Sequence, residues 1–265
     1  NQGIDACVNW NDKVGEDFTY NLGLNITFTK NKLRKTNELS NIEDYRKSIG
    51  QPTSAIFGWQ SQGLFGKDVA IAGHPFQSFG NYQVGDIAYA DLNNDGMVDN
   101  NDQTRIGQSF PKTTLGVDVT LNYKGFGLYI LGTATTGVTQ MLTSTYYWNK
   151  GLDGYSVLAE DRYHPVNNPT GTQPRLTTTS GVNNYRNSTF WTKNGSFFRL
   201  KNVELSYTLN NNSKKGIGKN YKFFVRGANL FVLSGIKELD PEQMLAGISN
   251  YPVYRTITGG VSINF

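Results

Sequence analysis

Polar and apolar residues alternate one by one through much of this 265-residue chain. The clearest run starts at Phe18. Phe18, Tyr20, Leu22, Leu24, Ile26 and Phe28 share one face of an extended backbone, and Thr19, Asn21, Gly23, Asn25, Thr27 and Thr29 share the other, because successive strand residues point to opposite sides. The apolar face continues for about eleven residues, which matches the 9–11 that a tilted strand needs to cross a bilayer. Soluble strands average about 5–6.

The same alternation recurs along the chain. Ile4, Ala6, Val8 and Trp10 alternate with Asp5, Cys7 and Asn9, and the polar stretch Asn11 to Glu16 follows as a turn. Leu115, Val117, Val119, Leu121 and Tyr123 alternate with Gly116, Asp118, Thr120 and Asn122. Lys124-Gly125 reads as a tight turn into a return strand that starts at Phe126 and reaches about Gln140. Phe197 to Leu209, Tyr221 to Phe231 and Thr256 to Phe265 complete the long strands, and Ser54 to Gln60 reads as a weaker one. Asn41 to Ile49 suits a short helical turn. The expectation is about eight antiparallel strands in an all-β fold, with no clean internal repeat.

Connections of very different length separate these strands. A barrel has short turns on one side of the membrane and long loops on the other. Counting back from the last strand puts Lys124-Gly125 and Asn210 to Asn220 on the periplasmic side. The loops Gly63 to Pro111, Met141 to Gly195 and Val232 to Tyr254 then fall outside the cell. Lys30 to Gly50 also falls on the periplasmic side, where it is long for a turn.

Composition agrees with strands and polar turns. Charged residues make up 17%, below the globular average of about 25%, and Tyr and Phe number 15 each beside 29 Gly. Aromatics are too plentiful for a disordered segment. The mean hydropathy of −0.46 reads as soluble, but only alternate residues of a barrel strand meet lipid, so the mean is uninformative. No run of about 18 apolar residues offers a membrane helix. No basic region followed by an apolar stretch opens the chain, and Asn1 is not an initiating Met, so a mature form or a piece of something longer is expected. The net charge of +4 is scattered, which argues against nucleic-acid binding. Cys7 stands alone, excludes a disulfide framework and a Cys-rich zinc site, and reads as a small packed side chain.

One segment has the spacing of a cation loop. Asp91, Asn93, Asp95, Asp99 and Asp102 put side-chain oxygens at positions 1, 3, 5, 9 and 12, with Gly96 at 6 and the Met97 carbonyl at 7. Position 12 is Asp rather than the longer bidentate Glu. One reading is a bound Ca²⁺ or Mg²⁺ that pins a long loop. The other is an Asx-turn-rich loop without metal. Either role is structural. His74 and His164 lie in different loops, no G-x-S-x-G elbow is present, and the strands carry no carboxylate pair, so no enzyme is expected. Tyr146, Tyr147, Trp148, Tyr155, Phe190 and Trp191 cluster in or beside one loop. Such aromatics contact sugars, peptides or a partner, pack the loop on itself, or stand in a membrane girdle. Tyr147, Trp148 and Trp191 are the candidates for substrate or partner contact.

Several stretches together resemble the C-terminal part of a SusC/RagA-type TonB-dependent outer-membrane transporter. They are Asn1 to Asp5, Phe57 to Phe65, Gly85 to Gly96, Asp102 to Gly107, Tyr123 to Phe126, Asn194 to Val203, Ala228 to Phe231, Asp240-Pro241 and Tyr251 to Phe265. Asn94 and Asn194 depart from the usual Gly and Asp. Thr258, Gly260, Ile263 and the terminal Phe265 resemble the signal read by the barrel-assembly machinery. The resemblance implies a transmembrane antiparallel barrel of about 22 strands, of which residues 1–265 are the C-terminal portion without plug or TonB box. It implies import of glycan or peptide fragments across the outer membrane, driven through TonB, with a SusD-like lipoprotein as lid. A secreted β-sandwich that binds glycans with a calcium-pinned loop is the rival reading. A small outer-membrane enzyme is a weaker third.

Overall fold

The computed structural model describes the chain except residues 40–41, 152–153, 178–181, 211–219, 244–249 and 265. Among the described residues, seven long strands form one antiparallel sheet: β1 (Gln2–Val14), β2 (Phe18–Lys30), β3 (Thr113–Tyr123), β4 (Phe126–Thr136), β5 (Phe197–Asn210), β6 (Asn220–Ser234) and β7 (Thr256–Asn264). Their spatial order is their sequence order, so each strand pairs with the one before it. The expected eighth strand forms as Ala55–Trp59 but stands apart, paired with Gln103–Gln108 in a two-stranded ribbon. Five residues cannot span what the strands of the sheet span with nine to fifteen.

That displacement corrects the assignment of sides. With Ala55–Trp59 outside the sheet, residues 31–112 are one connection between β2 and β3. Lys30 to Gly50 therefore belongs to the long-loop end, not the short-turn end. The short-turn end holds 15–17, Lys124-Gly125 and 211–219, the last outside the described residues. The long-loop end holds 31–112, 137–196 and 235–255. Lys124 and Gly125 take φ of +46° and +87°, the left-handed pair that a two-residue hairpin needs.

Register aligns the side chains into rows that cross all seven strands. On one face, Val14, Phe18, Tyr123, Phe126, Tyr207, Phe223 and Val261 stand opposite one another in turn. Two rows further from the turns come Trp10, Leu22, Val119, Ile130, Val203, Gly227 and Ile257. On the opposite face the row between them reads Asn11, Asn21, Thr120, Tyr129, Glu204, Arg226 and Thr258. Glu204 accepts from Lys222 and Arg226 there. Five adjacent aromatics close the apolar face at the short-turn end, as in the girdle of a membrane barrel. The ten steps from Phe18 to Phe28 span about 25 Å along the normal of a tilted sheet, the height of such a band.

Among the described residues, no layer covers the apolar face. Leu22, Leu24, Ile26, Leu205, Val225 and Val261 are all exposed. A contiguous apolar surface of this extent needs a non-aqueous neighbour. The buried core belongs to the loops instead: Trp59, Leu64, Phe79, Ile87, Tyr89, Val98, Leu142, Tyr147, Tyr163, Trp191 and Ile236 pack together at the long-loop end. Cys7 is exposed on the polar face of edge strand β1, against the expectation of a packed side chain. Thr258 and Gly260 lie on the polar face of β7 and Ile263 on the apolar one, and Phe265 lies outside the described residues.

Candidate functional site

The two longest loops fold into a single body over the end of the sheet, and a buried polar network joins them. Gln77 donates to the Ile87 carbonyl (3.1 Å) and its own side-chain carbonyl accepts from the Tyr89 N–H (2.7 Å). The Asn184 side chain accepts from the Ile87 N–H (2.9 Å) and donates to Asp86 (2.8 Å). Arg175 pairs with the same carboxylate at 2.8 Å. The Tyr89 hydroxyl donates to the Asn183 carbonyl (2.8 Å) and the Trp191 indole to that of Asn184 (2.7 Å). A short segment at 77–89 is thereby bonded to residues about a hundred positions away. Buried polar groups left unpaired would each cost about 1–3 kcal/mol, so the network fixes how the loops meet.

Burial sets the chemistry of the tyrosines here. It pushes the Tyr89 hydroxyl above its ordinary range, and it raises Tyr185 to about 12. Tyr147 is raised by burial and then by the negative charge of Glu238, to which it donates at 3.4 Å. All three stay neutral donors at any physiological pH, which suits structural anchors.

The structure corrects the aromatic candidates. Tyr147 and Trp191 are 3% and 2% exposed and sit inside the loop core. Trp148 is half-buried against it, 5.7 Å from Tyr185 and 6.4 Å from Trp191 between ring centres. Neither Tyr147 nor Trp191 offers a face to a ligand. Packing the loop on itself is their role, because a long loop with few aliphatic residues needs large rings to build a core.

The cation-loop candidates stand as follows. Gly96 and Asn94 take φ of +87° and +59°, the backbone that the sharp turn requires. Asp91 accepts from the N–H groups of Asn94 (2.7 Å) and Gly96 (2.9 Å). Asn93 accepts from Asp95, and Asp95 from Met97. Asp102 is fully buried and turned inward, accepting from Leu92 (2.7 Å) and from Asp99 (2.8 Å). Among the described residues, no three His, Cys, Asp or Glu side chains converge as a metal-holding group. Side chains at Asp91, Asn93, Asp95 and Asp99 and the Met97 carbonyl are the donors available to a hard cation.

Charged groups tie the third loop to the polar face of the sheet. Arg199 on β5 is 3% exposed and donates to both carboxylate oxygens of Asp240 at 2.7 Å. Its Nε lies 3.4 Å from Glu242, which Lys201 also holds at 2.9 Å. Against β4, Lys201 is an extra residue between Leu200 and Asn202, and it turns Arg199 onto the polar face, where the third loop meets it. Lys193 meets Glu238 at 3.6 Å. The alternation along β5 places Arg199 on a strand, but nothing in the sequence says that Asp240 returns to it.

The histidines serve the loops. His74 contacts the Pro75 carbonyl (2.8 Å) and Gln62 (3.1 Å), and His164 accepts the N–H groups of Val166 and Asn167.

No protein-family model matches the chain. It is 32% identical over 198 residues to TonB-dependent receptor P26 of Formosa agariphila, across 69% of this chain and 20% of that protein. It is 23% identical over 292 residues to TonB-dependent receptor P3 of the same organism, and 25% identical over 278 residues to TonB-dependent receptor SusC of Bacteroides thetaiotaomicron. Those two matches cover 100% of this chain but 28% and 26% of the relatives. Among solved structures, the RagAB peptide importer in its open-open state superposes with a TM-score of 0.71 at 17% identity, across 99% of this chain and 28% of that one. Its closed-closed state gives 0.68 at 19%. The chain thus spans less than a third of the length of the proteins it matches.

Proposed function

We propose, from the premise that this chain belongs to the SusC/RagA type of TonB-dependent receptor, that the whole protein is an outer-membrane active transporter. The seven strands are a section of its transmembrane barrel wall. Leu, Ile, Val and the aromatic row meet lipid, and Asn, Thr, Asp, Glu and Arg line the wet interior. The short turns face the periplasm, and the folded loops stand outside the cell. Uptake is driven through TonB by parts of the protein outside this chain, and the barrel-assembly machinery inserts the product. A SusD-like surface lipoprotein closes over the loops. The cargo is an oligosaccharide or peptide fragment, peptide being what the RagAB importer carries.

One observation supports this reading above the others: an oil face and a water face run unbroken across seven paired strands. A secreted β-sandwich would bury that oil face against a second sheet. The loop 91–102 takes up Ca²⁺ or Mg²⁺ in this reading, supported by four carboxylates within twelve residues that pair with no Lys or Arg among the described residues. A gene-deletion strain tests the function. Loss of growth on an oligosaccharide or peptide source, restored by the full-length gene and blocked by a protonophore, is expected. A full-length product that is monodisperse in buffer without detergent contradicts it.

A further inference from the structure

The seam between the loop body and the sheet holds a cavity of about 410 Å³. It opens where the strand Gln103–Gln108 meets the ribbon formed by Thr139–Met141 and Thr192–Asn194. Three cations stand around it, Arg105, Lys112 and Lys193, and its lining contains no carboxylate among the described residues.

Each cation is differently held. Arg105 is fixed by neutral acceptors, donating to Gln51 (2.9 Å), Gln108 (3.0 Å) and the Gly107 carbonyl (3.4 Å). Its position is set while its charge stays uncompensated. Lys112 continues β3 by one residue, its N–H bonded to the Thr136 carbonyl and its own carbonyl accepting from Thr29. It shares the polar face with Thr114 and Gly116, and a Cβ at Gly137 would run into its side chain at 2.9 Å. Its ammonium has no hydrogen bond or ion pair among the described residues. Lys193 has only Glu238, at 3.6 Å, and that carboxylate also accepts from Tyr147. Three positive charges thus share one carboxylate. The Asn194 carbonyl is taken by the Ser196 N–H at 2.9 Å, which leaves its amide NH₂ as a further donor.

We propose that this cavity binds an oxyanion, a carboxylate or sulfate group, with Arg105 as the fixed fork and Lys112 and Lys193 as point charges. A planar guanidinium held in place suits bidentate oxyanion contact, and flexible ammonium groups complete the charge. The cavity volume suits one such group with its nearest neighbours. Naming the imported cargo as the carrier of this group rests on the transport reading. The oxyanion site itself does not.

The test uses full-length receptor in detergent at low salt, with sodium sulfate as the probe in isothermal titration. One saturable site is expected. Arg105→Gln with Lys112→Gln weakens it by about tenfold or more, and Lys124→Gln at the short-turn end leaves it unchanged. Because both cavity side chains are exposed, melting temperatures stay equal, and Lys112→Gln alone serves if the double variant melts early. Two further arms separate the sources of the group: a peptide with a free C-terminal carboxylate against its amide, and a sulfated disaccharide against its desulfated form. Loss of binding on removal of the anionic group, in either pair, supports the site. Absent sulfate binding, or equal binding by wild type and variants, overturns it. Sulfate binding in a protein whose deletion strain grows normally keeps the site and removes the transport reading. Uptake without sulfate binding does the reverse.

Discussion

Replacing Arg199 by Met releases the third loop from the sheet. A buried ion pair broken from one side costs about 3–5 kcal/mol, because one charge is left without its partner. Here the survivors are Asp240 and Glu242, whose side chains are 20% and 28% exposed. Water reaches both once the guanidinium is gone, and Lys201 still holds Glu242 at 2.9 Å. Met also refills the apolar part of the space. The cost then falls to about 2 kcal/mol, or about thirtyfold in the population of the released loop. Removing the acids instead, as Asp240→Asn with Glu242→Gln, leaves Arg199 buried alone and belongs at the upper end of the range. Limited trypsin cleavage at exposed Lys237 reads the released population directly when opening and closing outpace cutting. Full-length receptor in detergent is expected to be cut about thirtyfold faster as Arg199→Met and faster still as the double acid variant. Rates within threefold of wild type for both would show that the ion cluster does not hold the loop.

Three further outcomes follow from the same geometry. Leu22→Arg puts a charge in the middle of the apolar face and should cost about 3 kcal/mol in refolding into phospholipid vesicles, whereas Asn21→Arg on the polar face should cost under about 1; equal costs would reject the assignment of faces. Burial alone would raise the Glu238 carboxyl, but backbone N–H groups and the charge of Lys193 together hold it below its ordinary 4.5. Its contribution to loop anchoring is thus full above that value and lost as pH falls through the lowered one; hydrogen exchange at 235–243 should be protected near neutrality, lose protection below pH 4.5, and lose less in Glu238→Gln. Calcium at a hundredfold excess over its dissociation constant should stabilise the receptor by about 2–3 kcal/mol and leave Asp91→Asn with Asp95→Asn unmoved; identical melting of wild type in calcium and in EDTA would favour the metal-free turn.

The long strands were legible because a sheet wetted on one side and oiled on the other must alternate, and Phe18 to Phe28 or Leu115 to Tyr123 does so without a break. Ala55–Trp59 alternates poorly, since Ile56 interrupts the pattern, and its five residues are too few for a membrane strand. The loop body was not legible. Its contacts join Gln77 to Asn183 and Ile87 to Asn184, and nothing local to either partner marks such long-range pairs. The inward turn of Tyr147 and Trp191 was hidden for a related reason: whether a ring is offered to a ligand or folded inward depends on what the other loop brings to it. Spacing marked 91–102 as a tight, Asx-rich turn, and the inward turn of Asp102 became visible only in three dimensions. The Arg199–Asp240 pair left no trace in the sequence: strict alternation puts Arg199 on the apolar face with Val203 and Leu205, and only the extra residue Lys201 turns it to the polar one.

Labelling each residue from Thr19 to Phe28 in turn with a nitroxide, in full-length receptor reconstituted in a bilayer, measures the two faces directly. Collisions with oxygen dissolved in lipid should peak at Tyr20, Leu22, Leu24, Ile26 and Phe28, and collisions with a water-soluble nickel complex at Thr19, Asn21, Asn25 and Thr27. Accessibility without a two-residue period, or nickel access at every position, would contradict a wall between oil and water.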